Sequence, residues 1–362
     1  MAEQTIQWQT NLESTMRIRT NIGNISAGIL LFCLLMLGGS AEAQLPGEGI
    51  TVQPGRATWT TGFFLEALYS QALEDLGYRV KKAKSLAAPI FYQALVLGDV
   101  DYWANGWFPL HRTQLPPGFE NKGEIAGYAV KAGALQGYLV SKRDVEKYGI
   151  TSLEDFKREK VKKAFDANDD GKADLTACPP GWGCEKVISH HLDVYNLRDH
   201  IKPIKAGYSA GMAAALARYR QGNPILFYTW TPNWTIYKLK PGKDVMWINV
   251  PEIIPTEAQK PHVEAMTQSG RVKGAVTDPI KMGFPANDIA VVAQKQFLKN
   301  NPAADKIFEL ISVPLEDIAD QNNRMFEGED KQRDIERHAR EWKAEHEEQW
   351  NEWLEKAKAA AK

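Results

Sequence analysis

The segment CPPGWGC near the middle of the chain places Trp182 between Cys178 and Cys184, with prolines and glycines around it. Cysteines this close together form a disulfide in an oxidising compartment, or they serve as metal ligands. In either case the closed loop presents one aromatic face, which is a feature of a binding site. The compartment in which the protein works decides between the two.

The N-terminus predicts export. Arginines precede an apolar run at residues 25–37, and AEA at residues 41–43 has the small-x-small form that signal peptidase cleaves. This pattern is typical of a secretory signal peptide over residues 1–43, with translation starting at Met1 or Met16. The run is shorter than the roughly 20 residues of a transmembrane helix. We therefore expect a periplasmic protein.

An oxidising compartment favours the disulfide. Cys33 lies in the apolar run and leaves with the signal peptide, so the mature chain keeps Cys178 and Cys184. A ring this small stabilises a fold by only about 2 kcal/mol, so we expect it to fix a local shape. The alternative is a zinc site completed by His190 and His191. It is disfavoured because five residues separate the cysteines, against the usual two to four.

Composition limits the classes of protein. The chain has 44% apolar residues and a formal net charge of −1. About 320 mature residues of this kind bury a sizeable core and usually form two domains. The near-zero charge gives no electrostatic reason to expect nucleic acid or an acidic membrane as a partner.

Strand-like and helix-like segments alternate, which predicts an α/β fold with mainly parallel sheets. Thr60 and Thr61 are predicted to cap a helix, and Thr151 and Glu154 to form a capping box. Strands are predicted at GITVQP, YRVKKAKSL, VDYWANGW, QGYLVSK, KKAFDAN, IKPIKA, PILFYTW and VMWINV, and helices at IFYQALVLG and GMAAALARYRQG. In such folds ligands bind at the carboxyl ends of strands.

Three tryptophans occupy positions of that kind. Trp107 follows the strand VDYWANG, Trp230 ends the run ILFYT, and Trp182 lies in the cysteine loop. We interpret these three as candidate binding residues. We interpret five other tryptophans as packing residues, namely Trp59, Trp247, Trp342, Trp350 and Trp353.

Four motifs, taken together, resemble one family. They are GWGCE after Cys178, WFPLH at residues 107–111, YTWTP at residues 228–232 and DANDDGKADL at residues 166–175. From about Leu45 to the C-terminus, the chain is similar to the periplasmic glycine betaine/proline betaine-binding proteins of osmoprotectant ABC importers. Several separate motifs agree in order and spacing, so the resemblance is more specific than any one of them.

The resemblance implies a two-lobed α/β periplasmic binding protein of type II. The first lobe comprises residues 44–141 and 248–362, and the second comprises residues 142–247. Glycine betaine or a related betaine lies in the cleft between the lobes, and the permease subunits of the importer receive it. The resemblance implies a monomer without enzymatic activity, with no nucleic acid partner and no required cofactor.

In that family, three tryptophans surround the quaternary ammonium, while a histidine and backbone amides of the disulfide loop bind the carboxylate. The matching residues are Trp107, Trp182 and Trp230 for the ammonium, and His111, Gly183 and Cys184 for the carboxylate. The chemistry agrees, because a trimethylammonium has no N–H to donate and is attracted by aromatic faces, most strongly by Trp. Uncharged amide and imidazole donors suit a carboxylate. The preferred betaine stays open, since Phe108 stands where the family motif has a smaller residue.

A secreted serine hydrolase is the alternative function. Residues 207–211, GYSAG, fit the G-x-S-x-G motif, with Ser209 as the nucleophile. The base would be His262, His338 or His346. An HGG-type segment for an oxyanion hole is missing from the sequence, and a serine near a helix start is more often a cap.

A structural or adhesive protein is the third class, and it predicts no saturable binding of a small ligand. Its best support is the charged run at residues 329–362. That run is more typical of a solvated amphipathic helix, with Ile335, Trp342 and Trp350 among its packing residues.

The stretch before the cysteine loop predicts a weak structural calcium site. Gly171 allows the sharp turn of a calcium loop, while Ala177 stands where such loops carry a bidentate glutamate. The candidate ligands are Asp166, Asn168, Asp170 and Asp174. We expect calcium to raise the melting temperature of chelator-treated protein. An unchanged melting temperature would remove the prediction and leave a polar turn.

Overall fold

A computed structural model of the protein describes residues 44–205, 207–270 and 272–362. The predicted signal peptide at residues 1–43 lies outside the described residues. In the ranges that are described, no helix combines the length and the apolar character needed to cross a membrane.

Strands and helices alternate through most of the described chain. The strands are β1 Thr51–Val52, β2 Gly55–Arg56, β3 Arg79–Val80, β4 Lys84–Ser85, β5 Tyr102–Phe108, β6 Gly123–Ala134, β7 Gln136–Ser141, β8 Ala173–Thr176, β9 Ile201–Ile204, β10 Leu226–Trp230, β11 Val245–Ile248, β12 Thr267–Gln268, β13 Ile280–Lys281 and β14 Asn287–Gln294. The α-helices are α1 Thr61–Asp75, α2 Ala88–Leu97, α3 Phe119–Lys122, α4 Lys142–Tyr148, α5 Glu159–Phe165, α6 Gly183–Val194, α7 Tyr208–Arg220, α8 Trp234–Lys238, α9 Lys295–Asn300, α10 Pro302–Leu310, α11 Leu315–Phe326, α12 Gln332–Glu345 and α13 Glu347–Ala360. Three 3₁₀ helices span Leu110–Gln114, Leu153–Lys157 and Glu257–Met266.

The larger sheet has five strands in the order β11-β7-β10-β8-β9. β10, β8 and β9 run parallel, while β7 runs antiparallel to both β10 and β11. β7 and β10 are buried along their whole length. Strands buried on both faces read as continuous apolar runs, which is why PILFYTW and QGYLVSK were recognisable in the sequence.

A second sheet has three strands in the order β5-β14-β6. β14 is antiparallel to both of its neighbours, so the expectation of mainly parallel sheets is wrong for this part of the fold. The pattern of apolar residues in one strand carries no information about the direction of its partner, which explains the error. The mixed α/β character itself is confirmed.

Three local predictions need correction. The first four residues of the segment KKAFDAN form the end of helix α5 instead of a strand, and Val161 and Phe165, four residues apart, lie on the buried face of that helix. The capping box lies one residue downstream of its predicted position and joins Ser152 to Asp155. Helix α1 is present, but the Thr60 hydroxyl pairs with the side-chain oxygen of Asn322 at 2.9 Å and does not cap the helix.

The five-stranded sheet takes in β7, which the predicted boundary after residue 141 assigned to the first lobe. The other four strands of this sheet lie between residues 173 and 248. The division into lobes at residues 44–141 with 248–362 and 142–247 stays a prediction.

The C-terminal run forms helices α12 and α13, which pack against α1 and α10 respectively. Trp342, Trp350 and Trp353 are buried there, and Trp247 is buried elsewhere in the core, so the predicted packing role of these four is confirmed. The indole N–H of Trp350 donates to Asp75 at 2.8 Å. The run is therefore part of the folded body.

Replacing Trp350 by Ala should destabilise the protein by about 3–5 kcal/mol, because a large buried side chain is lost and Asp75 loses a donor. Urea unfolding measures the change. The control is Asn351→Ala on the exposed face of the same helix, which should stay within about 0.5 kcal/mol of wild type. Equal stability of the two variants would contradict the packing role of Trp350.

Candidate functional site

One pocket collects the residues that the sequence predicted. It encloses about 290 Å³, its open mouth included. Its walls come from β5, β7 and β10, from the segment before α1, from the 3₁₀ helix Leu110–Gln114 and from the start of α6. The lining residues are Trp59, Trp107, Leu110, His111, Gln136, Trp182, Gly183, Cys184, Tyr228 and Trp230. All six predicted ligand-binding residues are among them, and their role in binding stays a prediction.

Each predicted side chain stands where a regular element ends or begins. Trp107 lies next to the last residue of β5, and the chain turns directly into the 3₁₀ helix that carries His111. Trp230 is the last residue of β10. Trp182 is the N-cap residue of α6, whose first residue is Gly183. The rigid strands and the helix start therefore fix the directions of the side chains.

The cysteine loop is closed by a disulfide between Cys178 and Cys184, whose Cα atoms are 6.0 Å apart. The predicted disulfide is confirmed, and the zinc alternative is wrong. His190 pairs instead with the carbonyl of Ile254 and His191 with the hydroxyl of Tyr138, each at 2.9 Å. The ring is short and contains Trp182, so it anchors that indole at the start of α6.

Neighbouring indole rings of the pocket meet at steep angles. The centroids of Trp182 and Trp230 are 5.5 Å apart with an interplanar angle of 78°. Trp59 meets Trp182 in the same way, at 5.3 Å and 64°. Trp59, Trp107 and Trp230 are buried, and Trp182 is half-buried. Walls at steep angles enclose a small apolar space, as a box does.

Trp59 lines the pocket although the sequence did not single it out as a candidate binding residue. It was interpreted as a packing residue, and it does pack against Trp103 at 5.6 Å, but it also lines the pocket. The missed signal was its position three residues after the end of β2, on the carboxyl side of a strand. A two-residue strand is too short to recognise by periodicity.

Two of the indole N–H groups share one acceptor. The Oδ1 atom of Asn105 accepts from Trp59 at 2.6 Å and from Trp107 at 3.1 Å. Asn105 is completely buried. A buried indole N–H needs a partner, so this single amide oxygen satisfies and orients two walls of the pocket.

The other two indoles are held by threonines near the start of α1. Trp182 donates to the hydroxyl of Thr58 at 3.0 Å, and Trp230 donates to the hydroxyl of Thr61 at 3.1 Å. The Thr61 hydroxyl in turn donates to the carbonyl of Pro232 at 3.1 Å. All four indole donors are therefore engaged with protein atoms, and what the rings offer to a ligand is their faces.

His111 supplies a neutral donor. Burial lowers the pKa of His111 to about 3, so the imidazole is uncharged at neutral pH. The backbone N–H of Trp107 donates to its Nδ1 atom at 3.1 Å, and the Tyr92 hydroxyl lies 2.9 Å from the same atom. Since Nδ1 accepts, the single proton of the neutral ring is on Nε2. Within the described ranges Nε2 has no hydrogen-bond partner, which leaves it free to donate.

The start of α6 adds two more donors. The backbone N–H groups of Gly183 and Cys184 are the first two of a 12-residue helix and have no intrahelical acceptor. The positive end of the helix dipole also favours an anion there. A Cβ atom at position 183 would lie 3.0 Å from Leu110 and 3.3 Å from the His111 ring, so glycine allows the helix end to approach the histidine. The lining of the pocket therefore combines aromatic rings with uncharged donors.

The predicted calcium stretch is held by its own hydrogen bonds. Asp166 accepts from the backbone of Asp170 and Gly171, Asp174 accepts from the backbone of Ala167, and Asp170 pairs with Lys202. No cluster of three potential metal-ligating side chains was found where the chain is described. Asn168 bonds the Asp170 backbone. The calcium site stays a prediction.

The hydrolase alternative finds no support. Ser209 is exposed in the first turn of α7. His338 bonds Glu329 and Gln321, and His346 stacks on Trp342 with ring centroids 4.0 Å apart. Neither these two nor His262 makes a hydrogen bond to Ser209 in the part of the chain that is described, so a nucleophile and base pair is not assembled.

Comparison with known proteins adds the family context. A family model described as the substrate binding domain of ABC-type glycine betaine transport systems matches residues 50–345. The chain is 42% identical over 341 residues to the glycine betaine-binding periplasmic protein OusX of Dickeya dadantii, which covers 94% of this chain and 99% of that protein. It is 38% identical over 332 residues to the glycine betaine/proline betaine-binding periplasmic protein of Escherichia coli K12, with coverages of 91% and 97%.

A solved structure confirms the fold class. The chain is similar to lactococcal OpuAC in its closed-liganded conformation complexed with glycine betaine, with a TM-score of 0.62 and 20% sequence identity. The likeness covers 84% of this chain and 99% of that one. The predicted α/β fold of a periplasmic binding protein is therefore confirmed.

The neutral buried histidines should make stability fall at acid pH. Burial lowers the pKa of both His111 and His191 to about 3, against about 6.5 in an unfolded chain. Below pH 6.5 the unfolded state binds protons that the native state does not. The free energy of unfolding then falls by about 1.4 kcal/mol per pH unit for each histidine.

Urea unfolding of wild type and His191→Asn between pH 6 and pH 4 tests this, because the comparison removes the contribution of the carboxylates that both proteins share. The slope of the variant should be shallower by about 1.4 kcal/mol per pH unit. Equal slopes would mean that His191 is protonated in the native state.

Proposed function

The chain belongs to the family of substrate-binding domains of ABC-type glycine betaine transport systems, and from this premise we propose that it captures glycine betaine, or a related betaine, for an ABC importer. The proposal includes periplasmic action after removal of residues 1–43, as a monomer without catalysis and without nucleic acid. The permease subunits of the importer are the proposed partners. The periplasmic relatives and their names support this view.

The observation that carries the proposal is the combination of two kinds of group in one pocket. The four indole N–H groups are tied to Thr58, Thr61 and Asn105, so a ligand meets ring faces. The imidazole Nε2–H and two helix amides of the same lining offer donors. A betaine has the complementary arrangement, with a cation that donates nothing and a carboxylate that only accepts.

The absence of charge in the lining explains why a zwitterion fits. In the described chain, none of the residues that line the pocket is an Asp, Glu, Lys or Arg, and His111 is neutral. A ligand with a net charge would enter this site without a counter-charge, which is unfavourable at low dielectric. Glycine betaine brings both charges with it, and the protein supplies dipoles and π faces for each.

In the proposed division into two lobes, the ligand contacts residues of both lobes. Trp107 and His111 come from the proposed first lobe, and Trp182, Gly183 and Trp230 come from the second. A ligand that contacts both groups binds the closed arrangement more tightly than the open one, and such differential affinity shifts the population. We propose that the closed form is the one the permease recognises.

Calorimetry of the purified protein against glycine betaine, proline betaine, choline and glycine tests the function. Glycine betaine should bind with saturation. Choline should bind weakly because it has no carboxylate, and glycine should hardly bind because it lacks the methyl groups. Absence of saturable binding of any betaine would contradict the proposal.

Replacing Trp182 or Trp230 by Ala should weaken glycine betaine binding roughly tenfold, within about five- to thirtyfold, because each desolvated indole face contributes on the order of 1–2 kcal/mol. Trp59→Ala should also weaken binding, since Trp59 lines the same pocket. Trp182→Phe is the matched control: it keeps a ring face but loses the bond to Thr58, so its loss should be smaller. A folded Trp182→Ala protein that binds as tightly as wild type would rule out the aromatic box.

A further inference from the structure

Gln136 has an unsatisfied donor in the pocket wall. It is the first residue of β7, lines the pocket and is 2% exposed. Its Oε1 atom accepts from the hydroxyl of Tyr228 at 2.7 Å. Its Nε2 atom is buried and has no hydrogen-bond partner among the described residues. Buried amide groups are nearly always paired, so this unpaired N–H₂ group needs an explanation.

The position of Gln136 is fixed by its neighbours. It lies opposite Trp230 in the antiparallel pair of β7 and β10, so the two side chains share one face of the sheet. Next to this pair, the backbone N–H of Leu135 donates to the hydroxyl of Thr231, and the backbone N–H of Thr231 donates to the carbonyl of Leu135, each at 2.9 Å. A strand end held this firmly does not move the glutamine away from the pocket.

The bond to Tyr228 also sets which atom of the amide is free. A phenolic hydroxyl donates to the amide oxygen, which turns the N–H₂ group away from the tyrosine. The free group is then a donor and needs an acceptor. A carboxylate is an acceptor, whereas a trimethylammonium is not.

We propose that Gln136 is a further ligand-binding residue, whose Nε2–H donates to the carboxylate of a bound betaine and so favours betaines over choline. This inference rests on the proposed function and adds a side-chain donor from β7 to those of His111 and helix α6. As an uncharged donor, Gln136 preserves the neutrality of the lining.

Calorimetry of Gln136→Met with glycine betaine and with choline tests the inference. Methionine has a similar length and no donor, so the affinity for glycine betaine should fall about ten- to a hundredfold, as for loss of one hydrogen bond to a charged group. The affinity for choline should change less than twofold. Gln259→Met is the control, because Gln259 is also buried but lies outside the pocket, and it should leave both affinities unchanged.

Gln136→Glu is the second variant. It has nearly the same shape as wild type, so it tests the inference even if the methionine variant does not fold. A carboxylate at this place should lower the affinity for glycine betaine more than tenfold and leave choline bound as well as, or better than, in wild type. An unchanged ratio of the two affinities in either folded variant, or a greater loss for choline, would overturn the inference.

The two proposals fail differently. Wild-type protein that does not bind glycine betaine contradicts the proposed function and this inference with it. Wild-type protein that binds glycine betaine, together with a Gln136→Met variant of unchanged selectivity, contradicts the role of Gln136 alone.

Discussion

Each indole that faces the pocket carries an N–H group that must be hydrogen-bonded elsewhere before its ring can serve as a plain π surface. A quaternary ammonium has no N–H to donate, and aromatic faces attract it. The structure meets this constraint with three acceptors, Thr58, Thr61 and Asn105. Thr58 and Thr61 lie at the start of α1 and Asn105 lies in β5, so two short segments of the chain set the directions of four rings. Trp230 comes from the end of β10 in the five-stranded sheet, and Trp182 comes from the N-cap of α6. Both donate to the threonines at the start of α1.

The donor end of the pocket depends on burial in the same way. His111 is a useful neutral donor because the surrounding aromatic residues exclude water and hold the pKa of its imidazole low. The backbone N–H of Trp107 then selects the Nε2–H tautomer. Trp107 therefore lines the pocket with its ring and fixes the tautomer of His111 with its backbone N–H. This burial makes the free energy of unfolding depend on pH, because a buried neutral histidine favours the native state less as the solution becomes acidic.

The sequence predicted much of the site because its residues lie in short motifs at the ends of elements. Trp107, Trp182 and Trp230 follow strands or lie in the disulfide loop, and such positions are visible without a structure. The support of those residues was not visible. The bond from Trp182 to Thr58 joins residues 124 positions apart, and no local pattern encodes it. Trp59 was missed for a related reason, because its strand is two residues long. The strand prediction for KKAFDAN was wrong because so short a segment fits the two-residue period of a strand as well as the 3.6-residue period of a helix.

The central claim is that the positive charge of the ligand, and not only its shape, is recognised by the indole faces. Calorimetry of glycine betaine against 3,3-dimethylbutanoate tests it most directly, because the two have the same shape and the same carboxylate and differ in the ammonium charge. Our account predicts that this isostere, in which an uncharged carbon replaces the charged nitrogen, binds at least about thirtyfold more weakly, from two or more faces of about 1–2 kcal/mol each. Equal affinities would show that the pocket selects a bulky apolar group beside a carboxylate, and would contradict recognition of the cation by the aromatic rings.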